Sequence, residues 1–139
     1  MNVLLLGGGG RESAIAWKIS QSKLLDTLYI SPGNAGTSEF GNNIQSLSIQ
    51  ESIKFAKQNK ISLTIVGPEA PLIDGIVDEF KKNKLTIFGP TKSASNLEGS
   101  KIWAKKLFRT RYSYIASRLS KRSERRYFPL FAIVLSNYV

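Results

Sequence analysis

Val3-Leu4-Leu5-Leu6 runs straight into Gly7-Gly8-Gly9-Gly10 and then Arg11-Glu12, and this stretch decides the fold. A short continuous apolar run ended by glycines fits a strand buried on both faces of a parallel sheet. Residues 11–21 then read as a helix, with Ala14, Ile15, Ile19 and Trp17 offering an apolar side. A strand, a glycine loop and a helix in that order form the first half of a parallel crossover unit.

The same alternation continues outward from this start. Residues 27–30 read as a second strand, followed by a loop, Pro32-Gly33-Asn34-Ala35-Gly36-Thr37, rich in residues that favour tight backbone. Ser48 with Glu51 three residues later makes a capping box for a helix reaching about Asn59. Residues 63–66 form the next strand, and Gly67-Pro68-Glu69-Ala70-Pro71 the next loop. Beyond it, Ile73, Ile76, Val77 and Phe80 fall at the spacing of one buried helix face, and residues 85–88 read as a fourth strand before Gly89-Pro90-Thr91. Strands alternating with helices predict an α/β fold, a doubly wound parallel sheet. Ligands of such sheets bind outside the carboxyl ends of the strands, where these Gly-containing loops meet.

Four glycines between a strand and a helix expose backbone N–H groups at a helix N-terminus, where the macrodipole also favours an anion; a phosphate is the natural occupant. Packing alone would need one glycine, and four leave the backbone costly to order. The dinucleotide fingerprint is not met, because its third glycine position falls on Glu12 in one frame and Ser13 in the other. Ser31-Pro32 also stands where an acid for the ribose hydroxyls is wanted, so the sequence argues against NAD. No G-x-x-x-x-G-K-[ST] occurs either. Arg11 beside the loop reads as a phosphate or substrate clamp, or with Glu12 as a solvated helix start. Glu69, in a loop between two prolines, reads equally as a stiffly held site carboxylate or an exposed loop acid.

Composition limits the chemistry. The chain has 139 residues, 42% hydrophobic and 22% charged, which suits one ordinary globular domain. With no Cys and no His it has no disulfide, thiolate zinc site, cysteine nucleophile or Ser-His-Asp triad. The formal charge of +10 is uneven: residues 1–107 hold 13 basic and 9 acidic residues, and residues 108–139 hold 7 basic residues with Glu124 as sole acid. All 11 glycines lie at or before Gly99, and six of the seven arginines fall between Arg109 and Arg126, so the composition changes near Phe108. No basic segment precedes the first apolar run, and the apolar stretch at 128–135 is interrupted by Pro129 and far short of the roughly 20 residues that cross a bilayer. No membrane contact and a cytoplasmic location are expected.

Five stretches in order, residues 1–12, 31–37, 64–72, 87–91 and Leu97-Glu98-Gly99-Ser100-Lys101, resemble phosphoribosylamine-glycine ligase, also called glycinamide ribonucleotide synthetase. The resemblance implies a Rossmann-like substrate-binding domain over 1–100, the start of an ATP-grasp region over 101–107, and a basic tail over 108–139 that does not match the family. It implies the second step of de novo purine biosynthesis: ATP phosphorylates the glycine carboxyl group, and the amine of phosphoribosylamine attacks the acyl phosphate. The residues it implies for the phosphoribosylamine end are Gly8, Gly9, Gly10, Arg11, Glu12, Asn34, Gly36, Thr37, Glu69, Pro71 and Leu72. Lys101 and Lys105 are implied near the ATP phosphates, or belong to a solvated lysine face. ATP with magnesium or manganese is implied as cofactor, with the metal ligands and catalytic residues expected outside this chain. A monomer is expected. Ser13 stands where the family pattern continues Arg-Glu-His, and it cannot serve as an imidazole.

Past Leu107 nothing aligns with the family's Gly-Ile-Pro-Thr-like turn. The abrupt change, with an Arg-rich and Gly-free composition, reads as a shifted reading frame or truncated gene, and this chain alone is expected not to complete the ligase reaction. Two alternatives remain: a non-catalytic binding module for a phosphorylated metabolite, and, last in order, nucleic-acid binding through the arginines and Tyr112, Tyr114 and Tyr127 of the tail.

Overall fold

The computed structural model describes residues 1–99 together with 102, 105, 106, 108 and 109, with the side chains of 96–99 left aside. The chain divides into two compact units, 1–99 and 100–139. The expected start of an ATP-grasp region at 101–107 lies largely outside the described residues, and the basic tail lies outside them apart from Phe108 and Arg109, both helical and exposed.

The first unit carries five parallel strands, β1 (Asn2–Gly7), β2 (Thr27–Pro32), β3 (Asn42–Asn43), β4 (Ile61–Val66) and β5 (Ile87–Phe88), in the order β3-β2-β1-β4-β5. The chain works outward from β1 to β3, then crosses back to β4 on the other side, so the winding reverses between β1 and β4. The helices are α1 (Gly10–Ser20), α2 (Ile49–Gln58), α3 (Glu69–Asp74), α4 (Ile76–Lys82) and α5 (Lys92–Gly99).

The apolar run of β1 is explained by its place in the middle. Leu4 and Leu6 enter one core cluster with Ile53 and Ala56 of α2 and Leu72, Ile76, Val77 and Phe80 of α3 and α4. Val3 and Leu5 point the other way and join Ala16 of α1 with Leu28 and Ile30 of β2. Alternate residues of one strand therefore feed two cores, and both faces must be apolar. The four side chains of Val3 to Leu6 are at most 5% exposed. At 25 cal/mol per Å², burying each contributes about 1.5–3 kcal/mol before the entropy of ordering is set against it.

Four expectations are corrected. The apolar side of α1 is Ile15, Ala16 and Ile19, while Ala14 is exposed and Trp17 is 51% exposed, because only a narrow stripe of this helix meets the sheet. The single helix expected through Ile73 and Phe80 is two helices. Gly75, at φ +96°, ends α3 in the left-handed region and starts α4, while Ile76, Val77 and Phe80 stay buried on the sheet side. Glu69 is not in the loop but is the first residue of α3, since Pro68 is extended and the chain turns helical after it. The fourth expected strand shortens to Ile87–Phe88, and the additional edge strand Asn42–Asn43 pairs with Tyr29 and Ile30. Ser48 caps α2 as its spacing predicts, with Glu51 N–H donating to Ser48 Oγ at 3.3 Å and Ser48 N–H to Glu51 Oε2 at 2.8 Å.

Candidate functional site

Strand register brings three loops to the carboxyl edge of the sheet. Gly7 pairs with Pro32 and Leu6 with Val66, and just past the strands Gly33 N–H donates to Gly7 O at 3.1 Å and Gly67 N–H to Leu6 O at 3.0 Å. The glycine loop, the 32–37 loop and the loop into α3 therefore start side by side, at the crevice where winding reverses.

Side chains then fasten the loops to one another. Arg11, exposed at the start of α1, reaches across the crevice: Nη1 donates to Gly67 O at 2.7 Å and Nη2 to Glu69 Oε1 at 3.1 Å. The backbone N–H of Glu69 itself, then the Arg11 guanidinium, hold the Glu69 carboxyl below its usual pKa. Both side chains are more than half exposed, so the pair orients the loops more than it stabilises the fold. On the other side, Asn34 Nδ2 donates to Gly8 O at 3.0 Å and to Ser13 Oγ at 3.0 Å, while its Oδ1 accepts from Gly36 N–H at 2.7 Å and Thr37 N–H at 3.0 Å. Thr37 is fully buried, and its Oγ1 accepts from Asn34 N–H at 2.7 Å and donates to Asn43 Oδ1 at 2.8 Å.

The residues expected from sequence are thus brought together unequally. Gly8, Gly9, Gly10, Arg11, Asn34, Gly36 and Glu69 form one connected rim. Thr37 supports that rim from beneath. Glu12 is 5% exposed, its Oε2 accepting from Gly9 N–H at 2.6 Å. Leu72 is 6% exposed in the core, whereas Pro71 lines a neighbouring cleft of about 400 Å³ with Ser31, Leu47, Ser48, Pro68 and Asp74. Sequence reasoning missed the side chains of Ser13, as a tie to Asn34, and Asn43, because a lone serine and an asparagine in a two-residue strand carry no periodicity. Lys105 is helical and exposed in the second unit, and Lys101 lies outside the described residues.

Comparison with known proteins decides the family. The sequence model described as "Phosphoribosylglycinamide synthetase, N domain" matches residues 1–98. The chain belongs to this N-domain family. A phosphoribosylamine-glycine ligase from Haemophilus influenzae is 52% identical over 109 residues, covering 76% of this chain and 25% of that protein. One from Clostridium acetobutylicum is 51% identical over 107 residues, covering 76% and 26%. The crystal structure of phosphoribosylamine-glycine ligase from Thermotoga maritima aligns with a TM-score of 0.58 at 29% identity, covering 79% of this chain and 25% of that one. This N-domain chain therefore spans about a quarter of the length of the curated relatives it matches.

At the start of α1 this N domain presents backbone N–H groups and one arginine side chain. The first intrahelical bond of α1 runs from Ser13 N–H to Gly9 O, so the first-turn N–H groups of Gly10 and Arg11 have no carbonyl to meet inside the helix. Among the described residues, no group of three or more His, Cys, Asp or Glu side chains is placed to hold a metal ion. No helix of the described residues is long and apolar enough to cross a membrane.

Proposed function

We propose that residues 1–99 bind phosphoribosylamine, as the N-terminal part of phosphoribosylamine-glycine ligase, with the 5-phosphate at the start of α1. One observation carries this reading: loops from β1, β2 and β4 are tied together over the reversal of winding, with the open N-terminus of an 11-residue helix and Arg11 at their centre. Glu69, kept ionised beside Arg11, suits a hydroxyl or amine of the sugar, since a carboxylate accepts hydrogen bonds and draws cations. The names of the Haemophilus and Clostridium relatives support the same substrate.

In the proposed reaction the amine of phosphoribosylamine attacks a glycine carboxyl activated as its acyl phosphate. A C–N bond forms, phosphate leaves, and the amine's proton goes to solvent or to a base. ATP, with magnesium or manganese, supplies the activation, and glycine and nucleotide are assigned to the part of the ligase that this chain does not span. This chain's own task is to bind and orient the sugar phosphate. A cytoplasmic setting goes with this reading.

Ribose 5-phosphate, a stable relative of the substrate, tests it by titration calorimetry. The chain is expected to bind it, and Arg11→Ala to lose that binding with a melting temperature within a few degrees of wild type, because the Arg11 side chain is more than half exposed. Unchanged affinity in Arg11→Ala, or no binding by wild type, overturns the reading.

A further inference from the structure

Glu12 is buried beside an exposed neighbour, Arg11. A carboxylate is costly to bury, and it persists where the surrounding backbone is built to receive it. Here the backbone is cleared on three sides. A Cβ on Gly7 would lie 2.6 Å from Glu12 Cγ and 2.7 Å from Cδ, and one on Gly9 would lie 2.9 Å from Oε2. One on Gly67, in the loop after β4, would overlap Oε1. Gly8 is bare for a different reason, since its Cβ would strike Gly33 O at 2.6 Å. Gly10 alone of the four faces open space, with nothing within 4 Å of the Cβ position.

The glycine loop is therefore shaped largely around a side chain of its own helix. We propose that Glu12 is a positioning residue, a latch whose carboxylate holds Gly9 N–H inward so that the loop's outward donors are those of Gly10 and Arg11. The inference rests on the phosphate-binding reading above and deepens it. With Gly9 N–H taken at 2.6 Å, an anion at the rim meets the next two amides instead. A glutamine reproduces the latch, because its side-chain carbonyl accepts the same hydrogen bond at the same reach. An alanine leaves a void where the carboxylate was and a part-buried N–H with no partner.

The test uses the whole 139-residue chain, with amide hydrogen exchange read at Gly9 and ribose 5-phosphate affinity read by titration. In Glu12→Ala, Gly9 is expected to exchange at least about tenfold faster and affinity to fall about tenfold, the size expected for one lost charge-assisted hydrogen bond. Glu12→Gln is expected to stay near wild type in both. A fast-exchanging Gly9 in wild type, or Glu12→Ala that folds and leaves both readouts unmoved, overturns the latch. If Glu12→Ala does not fold, Glu12→Gln decides: lost binding with Gly9 still protected means the charge contacts the ligand, and the positioning role is wrong. A wild-type chain that leaves ribose 5-phosphate unbound while Gly9 behaves as described overturns the proposed function and supports the latch.

Discussion

Asn34 donates through Nδ2 to Ser13 Oγ at 3.0 Å, joining the loop after β2 to the first turn of α1. The same side chain also holds Gly8 O and the N–H groups of Gly36 and Thr37, so removing it breaks several bonds at once. Asn34→Ala is expected to lower stability by about 2 kcal/mol, at roughly 1 kcal/mol for each net hydrogen bond lost and some relaxation of the rest. Urea unfolding measures this, and a change below about 0.5 kcal/mol would show that the tie carries no weight.

Gly10→Ala should separate ligand approach from folding. The added methyl enters open space and Ala is the better helix former by about 1 kcal/mol, so the melting temperature should hold or rise. Affinity for ribose 5-phosphate should fall severalfold, because the methyl stands at the helix start where the phosphate is proposed to bind. Full retention of affinity would place the phosphate elsewhere.

Thr64 has a buried hydroxyl with no hydrogen-bond partner, at 1% exposure in β4. Thr64→Val keeps the shape and removes the unpaired group, so the protein should gain about 1 kcal/mol. A loss of stability in denaturant unfolding would reveal a partner for that hydroxyl.

The cap of α2 gives a pH dependence. The Ser48 hydroxyl side first, then the Ser48 backbone N–H, holds the exposed Glu51 carboxyl below its usual 4.5. A carboxyl held low in the folded state contributes stability that is present above its unfolded pKa and is lost as pH falls through the folded value. Acidification below about pH 4.5 should therefore weaken this helix start in wild type, and Glu51→Gln should flatten that part of the profile. Ser48→Ala should cost about 1 kcal/mol at neutral pH. Circular dichroism across the pH range would detect both, and parallel profiles for wild type and Glu51→Gln would refute the linkage.

Gly75→Ala is expected to destabilise by at least about 1 kcal/mol, because φ +96° is a strained backbone for any residue with a Cβ. An unchanged midpoint in thermal unfolding would mean that α3 and α4 can merge.

The core of the fold was legible wherever burial acts on both faces or on one wide stripe. The four apolar residues of β1 announce a central strand because two separate cores depend on them. Ser48 and Glu51 announce a helix start because the two side chains answer one another at a fixed spacing. The kink at Gly75 was hidden for the converse reason: Ile73 of α3 stands at helical spacing from Ile76, Val77 and Phe80 of α4, so the apolar pattern runs on across a broken backbone. Strand β3 was hidden because it is held by pairing to β2 and by the side chain of Asn43, neither of which patterns the sequence. At the site, a glycine loop leading into a helix start could be read from the sequence. The division of labour among its glycines could not, since it depends on where the Glu12 carboxylate lies in three dimensions.

The end-to-end bonds from Gly33 to Gly7 and from Gly67 to Leu6 have one more implication, for what lengths of chain this protein can bear. The three rims of the site are spaced by strand register, about 3.3 Å per residue, and not by loop composition. Deleting one residue inside β1 would slide the glycine loop past both neighbours and turn Leu4 and Leu5 to each other's core. Residues added between Ser20 and Thr27, at the opposite end of the sheet, would move none of the three. Indels that look equal on paper are thus unequal here, and the sensitive ruler is the middle strand.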